Sequence, residues 1–207
     1  MQFEAALLNI KKILPFLLDI NVKKMAPKLS TKEILQQNMA RKHPKNTKWM
    51  VWAHNIRSLH NIGAIFRSSD AFGVDEIILS GFSPKPDRPE VNKTAIGAEE
   101  FVTWSYFEKW ESALNYITKQ NVQIVGLEQT NQSIPLPEYE IPENQDLCIV
   151  LGNEVSGIED DLLSHLNHCV EIPQYGNKHS LNVSVAAGIT LFGMLDKCWR
   201  KKSSQSG

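Results

Sequence analysis

From residue 49 onward, short apolar runs of strand length alternate with longer amphipathic stretches, and this alternation restricts the possible fold more than any other property of the chain. Strands are expected at 49–54, 76–80, 101–104, 122–127, 147–151 and 170–172. Helices are expected at 62–72, 92–98, 106–119, 159–166 and 184–202. The run around Ile77, Ile78 and Leu79 is apolar at successive positions, as in a strand covered on both faces. A parallel α/β sheet flanked by helices follows, and connection rules alone predict it to be doubly wound and unknotted. Residues 84–89 read as a loop and 133–146 as a proline-rich connection.

Ahead of this pattern, residues 30–41 have the signature of a short helix, with Ser30 or Thr31 as cap and Glu33 near its start. Residues 42–48, with Pro44 and Asn46, read as a linker. Residues 1–24 fit an amphipathic helix, and Met25-Ala26-Pro27 reads as a fresh start. The expected layout is a short basic helical N-terminal arm over 1–48, one domain over 49–202 and a disordered tail over 203–207.

Charge supports that division. Residues 1–50 carry ten Lys/Arg against three Asp/Glu, whereas the remainder carries 12 against 20. A basic arm thus precedes an acidic body, although such a charge run also fits a merely solvated helix. Between Lys119 and Lys178 there is no Lys or Arg at all, so that surface should face away from a polyanion. The apolar stretch at 5–20 is interrupted by Lys11, Lys12, Pro15 and Asp19, too polar for a membrane span, and no cleavage site follows it. Cys148, Cys169 and Cys198 form neither a CxxC pair nor an even disulfide set, which points to a reducing, cytoplasmic setting. His165-x-x-His168-Cys169 has no partner cluster with ligand spacing, so no metal is expected.

Three polar blocks sit at or just after strand ends, where open α/β sheets place ligand loops. The first is Asn61-x-Gly63-x-x-x-Arg67, in which Arg67 lies within the helix after the loop. The second is Gly152-Asn153-Glu154-Val155-Ser156-Gly157, whose glycines let a backbone approach a ligand. The third is Ile172-Pro173 followed by Ser180-Leu181-Asn182-Val183-Ser184. Alone, the blocks read as a surface arginine, a turn, and a helix capped by Asn182 or Ser180. Neither a dinucleotide G-x-G-x-x-G nor a Walker lysine is present, and the missing dinucleotide fingerprint disfavours a different α/β nucleotide-binding enzyme such as a dehydrogenase. Together they predict convergence on one pocket.

In order, spacing and strand context these blocks resemble the SpoU (TrmH-like) family of RNA ribose 2′-O-methyltransferases in the SPOUT superfamily. The resemblance spans roughly residues 49–199 and includes Thr94-Ala95-Ile96-Gly97-Ala98-Glu99. It implies a C-terminal trefoil knot, an exception to the no-knot expectation, and S-adenosylmethionine (S-adenosyl-L-methionine) as cofactor. By motif, the cofactor contacts fall at Leu127, Gly152, Ile172, Ser180 and Leu181. The resemblance also assigns Arg67 and Asn61 to catalysis, with Glu154, Ser180 and Asn182 shaping the pocket and supporting catalysis. A guanidinium is effectively always protonated, so Arg67 is assigned to orienting ribose and phosphate before any role as base. A homodimer and a tRNA or rRNA substrate complete what the resemblance implies. The competing reading is an RNA-binding or assembly protein that keeps the fold without turnover.

Overall fold

The computed structural model describes residues 27–205, so the expectation for residues 1–24 lies outside the described residues. The chain divides into two units at Lys42/His43. In the first, α1 (Thr31–Ala40) starts at a capping box: the Ser30 hydroxyl accepts from the Glu33 N–H, and the Glu33 carboxylate accepts from the Ser30 N–H. None of its residues is buried, so α1 owes its stability to this cap and to propensity.

The second unit is a seven-stranded sheet with every pairing parallel. Its elements are β1 (Trp49–His54), α2 (Leu59–Ala71), β2 (Glu76–Ser80), α3 (Pro89–Ala95), β3 (Thr103–Phe107), α4 (Trp110–Thr118), β4 (Val122–Leu127), β5 (Ile134–Pro135), β6 (Asp146–Leu151), α5 (Asp160–Leu163), β7 (His168–Glu171) and α6 (Val183–Gln205). The spatial order is β3-β2-β1-β6-β4-β7-β5. The chain builds outward from β1 to β3, then crosses over and fills the other half, so the order reverses beside β1.

The two faces bury alternate residues of the same strands. Trp49, Val51 and Ala53 of β1 pack with Ile62, Ile65 and Phe66 of α2 and with Leu191 and Met194 of α6. Met50 and Trp52 pack on the opposite side with Ala113 and Ile117 of α4 and Leu162 of α5. All six residues of β1 are buried, which is why its sequence shows no polar alternation.

Several expected boundaries shift. Pro89 opens α3 at its first turn, three residues before the predicted start, because proline lacks only an N–H that a helix start leaves unpaired. β3 occupies 103–107 rather than 101–104, since its register with β2 pairs Thr103 with Glu76. That moves the start of α4 from 106 to Trp110. The proline-rich connection contains the edge strand β5, where Pro135 is tolerated because an edge leaves one backbone side unpaired. Finally, α6 runs to Gln205, past the expected end at 202.

Candidate functional site

The carboxyl ends of β4, β6 and β7 open on a cavity of about 380 Å³, within the size range of small-molecule sites. Its wall starts with the turn after β6. Asn153 and Gly157 exchange backbone hydrogen bonds of 3.0 and 2.9 Å, and the Asn153 side-chain oxygen accepts from the Val155 and Ser156 N–H groups. The Asn153 amide also donates to the Asn55 carbonyl at 2.7 Å, tying the turn to the loop after β1. A Cβ on Gly152 would lie 2.3 Å from the Gly157 carbonyl carbon and 2.4 Å from the Ile158 nitrogen, so only glycine fits there. Gly157 itself has φ +70°, the left-handed region.

A hydrogen-bonded chain joins the three sequence blocks. Glu154 Oε2 accepts from the Arg57 N–H at 2.9 Å, and its Oε1 accepts from the Ser58 N–H at 3.0 Å and from Asn61 Nδ2 at 2.8 Å. The Asn61 side-chain oxygen in turn accepts from Asn182 Nδ2 at 3.0 Å. Asn182 then caps α6, its Oδ1 accepting from the Ser184 N–H at 2.9 Å and the Ser184 hydroxyl at 2.7 Å. Partial burial pushes the Glu154 carboxyl upward, but the bonds from Arg57, Asn61 and Ser58 outweigh it and hold its pKa below the ordinary 4.5. Glu154 is therefore an anion at neutral pH.

Leu127, Gly152, Glu154, Ile172, Ser180 and Leu181 line the cavity. Asn61 and Asn182 are not among the lining residues; Asn61 bonds Glu154, and Asn182 bonds Asn61. Arg67 lies six residues along α2 from Asn61, about 9 Å of helix rise, is exposed, and makes no hydrogen bond or ion pair among the described residues. The structure thus brings Asn61, Glu154 and Asn182 into contact and leaves Arg67 apart from them. Sequence reasoning passed over Glu128, whose carboxylate accepts from the Ile158 N–H at 2.9 Å and the Gln129 N–H at 3.0 Å. Its position immediately after the apolar run of β4 was the available signal. Asn153 was inside a quoted block without a role.

The cavity wall contains Glu128, Glu154 and Glu171 and neither Lys nor Arg among the described residues. Such a wall favours a ligand carrying positive charge over one carrying phosphate. His54, at the end of β1, is buried, with Nδ1 2.7 Å from the Ser80 hydroxyl; that hydroxyl accepts from Trp52 Nε1 at 2.7 Å. Asn55, with φ +52°, donates to Glu159 at 2.7 Å and fixes the path of the β1–α2 loop.

Comparison with known proteins gives the same outline. The chain is 33% identical over 137 residues to a 23S rRNA (guanosine-2′-O-)-methyltransferase of Coxiella burnetii, covering 66% of this chain and 54% of that protein. It is 28% identical to a tRNA (guanosine(18)-2′-O)-methyltransferase of Aquifex aeolicus, over 69% of this chain and 66% of that one. The chain therefore spans about half the length of the Coxiella relative. Among solved structures, an AdoMet-bound rRNA methyltransferase from Sinorhizobium meliloti superposes with TM-score 0.69 at 26% identity, covering 75% of this chain and 59% of that one. The model of the SpoU rRNA Methylase family matches residues 48–192, about 70% of the sequence, and the chain belongs to that family.

Proposed function

We propose that this protein is an S-adenosylmethionine-dependent methyltransferase acting on a ribose 2′-hydroxyl of tRNA or rRNA. The observation that carries the reading is the Glu154–Asn61–Asn182 chain, which locks three distant blocks around one acidic cavity. The residues fit the cofactor: the wall has carboxylates for a cationic ligand, and Gly152 keeps Cβ bulk off the turn. In this reading Leu127, Gly152, Ile172, Ser180 and Leu181 hold the cofactor. When bound, it supplies a methyl group on a sulfonium for in-line displacement by the ribose oxygen.

The chain's own part is positioning. Glu154 fixes Arg57, Ser58 and Asn61 at the start of α2, and so fixes the helix that carries Arg67. Arg67, exposed and unpaired among the described residues, presents a planar fork to a ribose-adjacent phosphate. Asn182 holds the start of α6 through its cap, and Ser180 lines the cavity edge. A C-terminal knot built from the segments after β6 and β7 accompanies this reading, as does the layout of a basic arm over 1–48 and a catalytic domain over 49–202.

A homodimer belongs to the same proposal. Val185, Ile189 and Phe192 form an exposed apolar stripe on α6, 50%, 40% and 52% accessible, beginning beside the cavity. Pairing two such stripes would remove them from water and bring two copies' sites near one RNA.

Titration with S-adenosylmethionine and with NAD tests the cofactor, and transfer of labelled methyl to RNA tests the reaction. Arg67→Ala should bind the cofactor normally and lose transfer by about a hundredfold or more, an order set by lost transition-state positioning. Undiminished transfer by Arg67→Ala would remove Arg67 from the mechanism. Cofactor binding with RNA binding but no transfer by the unaltered protein would favour the assembly-protein reading.

A further inference from the structure

At the opposite, amino-terminal ends of the strands lies a second cavity, of about 340 Å³. Trp49 begins β1 and lines it, so it is separated from the first cavity by the length of that strand, roughly 17 Å. Its composition inverts that of the first. Lys45, Lys197, Arg200, Lys201 and Lys202 line it against Glu140 and Glu143. Lys45 comes from the segment leading into β1, and the other cations come from about one and a half turns of α6. The fold thus joins two basic segments about 150 residues apart in a unit that is otherwise acidic.

Two features of its wall stand out. The Lys45 side chain is only 8% exposed and pairs with Asp75, whose carboxylate also accepts from the Trp49 N–H at 2.7 Å. Trp49 is fully buried, and its indole N–H has no hydrogen-bond partner among the described residues. A buried donor without an acceptor is uncommon in native proteins and is destabilising where it occurs. Two cations on the rim are tethered lightly. Arg200 commits one of its N–H donors to Asp196 at 2.7 Å, and Lys201 lies 3.4 Å from Glu143 and 3.7 Å from Glu140. Both can be redirected to a ligand with little loss, because exposed pairs contribute little.

We infer that this crevice binds the phosphate backbone of the RNA, as an anchor remote from the reacting ribose. The inference rests on the proposed function for its choice of RNA. Several separated cations suit successive phosphates of a chain better than one free phosphate ion, and the acidic cavity at the other pole cannot supply such contacts. Phosphate contacts fix position without reading sequence, which is the task of a site so far from the chemistry.

Indole N–H resonances of the full-length protein, with the Trp49 signal assigned through Trp49→Phe, provide the readout. An oligouridylate should shift the Trp49 resonance, while the Trp52 signal, bonded to Ser80, stays in place. Inorganic phosphate at equal phosphate concentration should leave both unmoved. Replacing the exposed Arg200 and Lys201 by Arg200→Gln and Lys201→Gln should lower the salt slope of RNA binding by about 1.4, from roughly 0.7 for each single-strand phosphate that is no longer neutralised. Cofactor titration should be unchanged in that variant. An unaltered salt slope together with an unmoved Trp49 signal would overturn the anchor, even if methyl transfer proceeds. A shift by inorganic phosphate but not by RNA would overturn it as well. Transfer that fails while RNA still shifts Trp49 would instead strike the proposed function and leave the crevice standing.

Discussion

Replacing Glu154 by glutamine tests the junction on which the site depends. The carboxylate accepts hydrogen bonds from the Arg57 and Ser58 N–H groups and from Asn61 Nδ2. An amide keeps one oxygen, which can stay with Ser58 and Asn61, but its NH₂ group then meets the Arg57 N–H, donor against donor. Changing two charge-assisted bonds to neutral ones costs about 1 kcal/mol each, and the orphaned donor about 1–3 kcal/mol, when such groups are buried. Glu154 is more than a third exposed, so water takes over much of this, and we expect a net loss of about 1–2 kcal/mol at pH 7. For a unit of this size that is a melting temperature lower by roughly 2–8 °C.

The pH dependence makes the test specific. The Glu154 pKa is lower folded than the unfolded 4.5, so its charge stabilises the native state above pH 4.5. That contribution disappears as the pH falls through the lowered folded value, where glutamate is protonated and resembles glutamine. The gap in melting temperature between the unaltered protein and Glu154→Gln should therefore be full at pH 7 and shrink as the pH falls below about 4.5. Thermal melts across that range measure it. An equal gap at every pH, or no gap at pH 7, would refute the argument that an ionised carboxylate holds the loop together.

Gly152→Ala should destabilise by about 2–3 kcal/mol and abolish cofactor binding, because the added Cβ meets backbone atoms of Gly157 and Ile158 that cannot rotate away; urea melts and cofactor titration check both. Ile189→Asp combined with Phe192→Asp should convert the proposed dimer to a monomer with little loss of fold, since both side chains are exposed; light scattering decides it, and a monomer before substitution refutes the dimer. His54 has a pKa held below 6.5 by burial, with Glu159 pulling in the opposite direction. Its neutral form is thus favoured in the native state, so the stability it contributes is present above pH 6.5 and lost as the pH falls towards the lower folded value. The unaltered protein should lose more stability between about pH 7.5 and 5.5 than His54→Gln, and equal losses would exclude His54 as the cause.

Strands 49–54 and 76–80 are legible to the residue because both their faces are covered, which leaves an almost unbroken apolar run; 122–127 is legible as well, although Gln123 interrupts it, because Ile124 to Gly126 are buried. β3 was harder to place. Thr103 and Trp104 are exposed at the sheet edge, so burial does not mark the strand, and only its pairing with β2 sets the register. The two-residue β5 is decided in the same way, by backbone bonds to β7 rather than by side chains.

The sequence alone carried the local chemistry: which residues cap, which turn, which runs must be covered, and which polar blocks follow strands. These depend on neighbours within a few positions, so they are written in composition and spacing. Only the tertiary structure decided that Asn61 bridges Glu154 and Asn182, 93 and 121 positions away, and that two basic segments meet across the Trp49 crevice. No pattern of nearby residues encodes such a pairing, because the distance between the partners is set by strand order in the sheet.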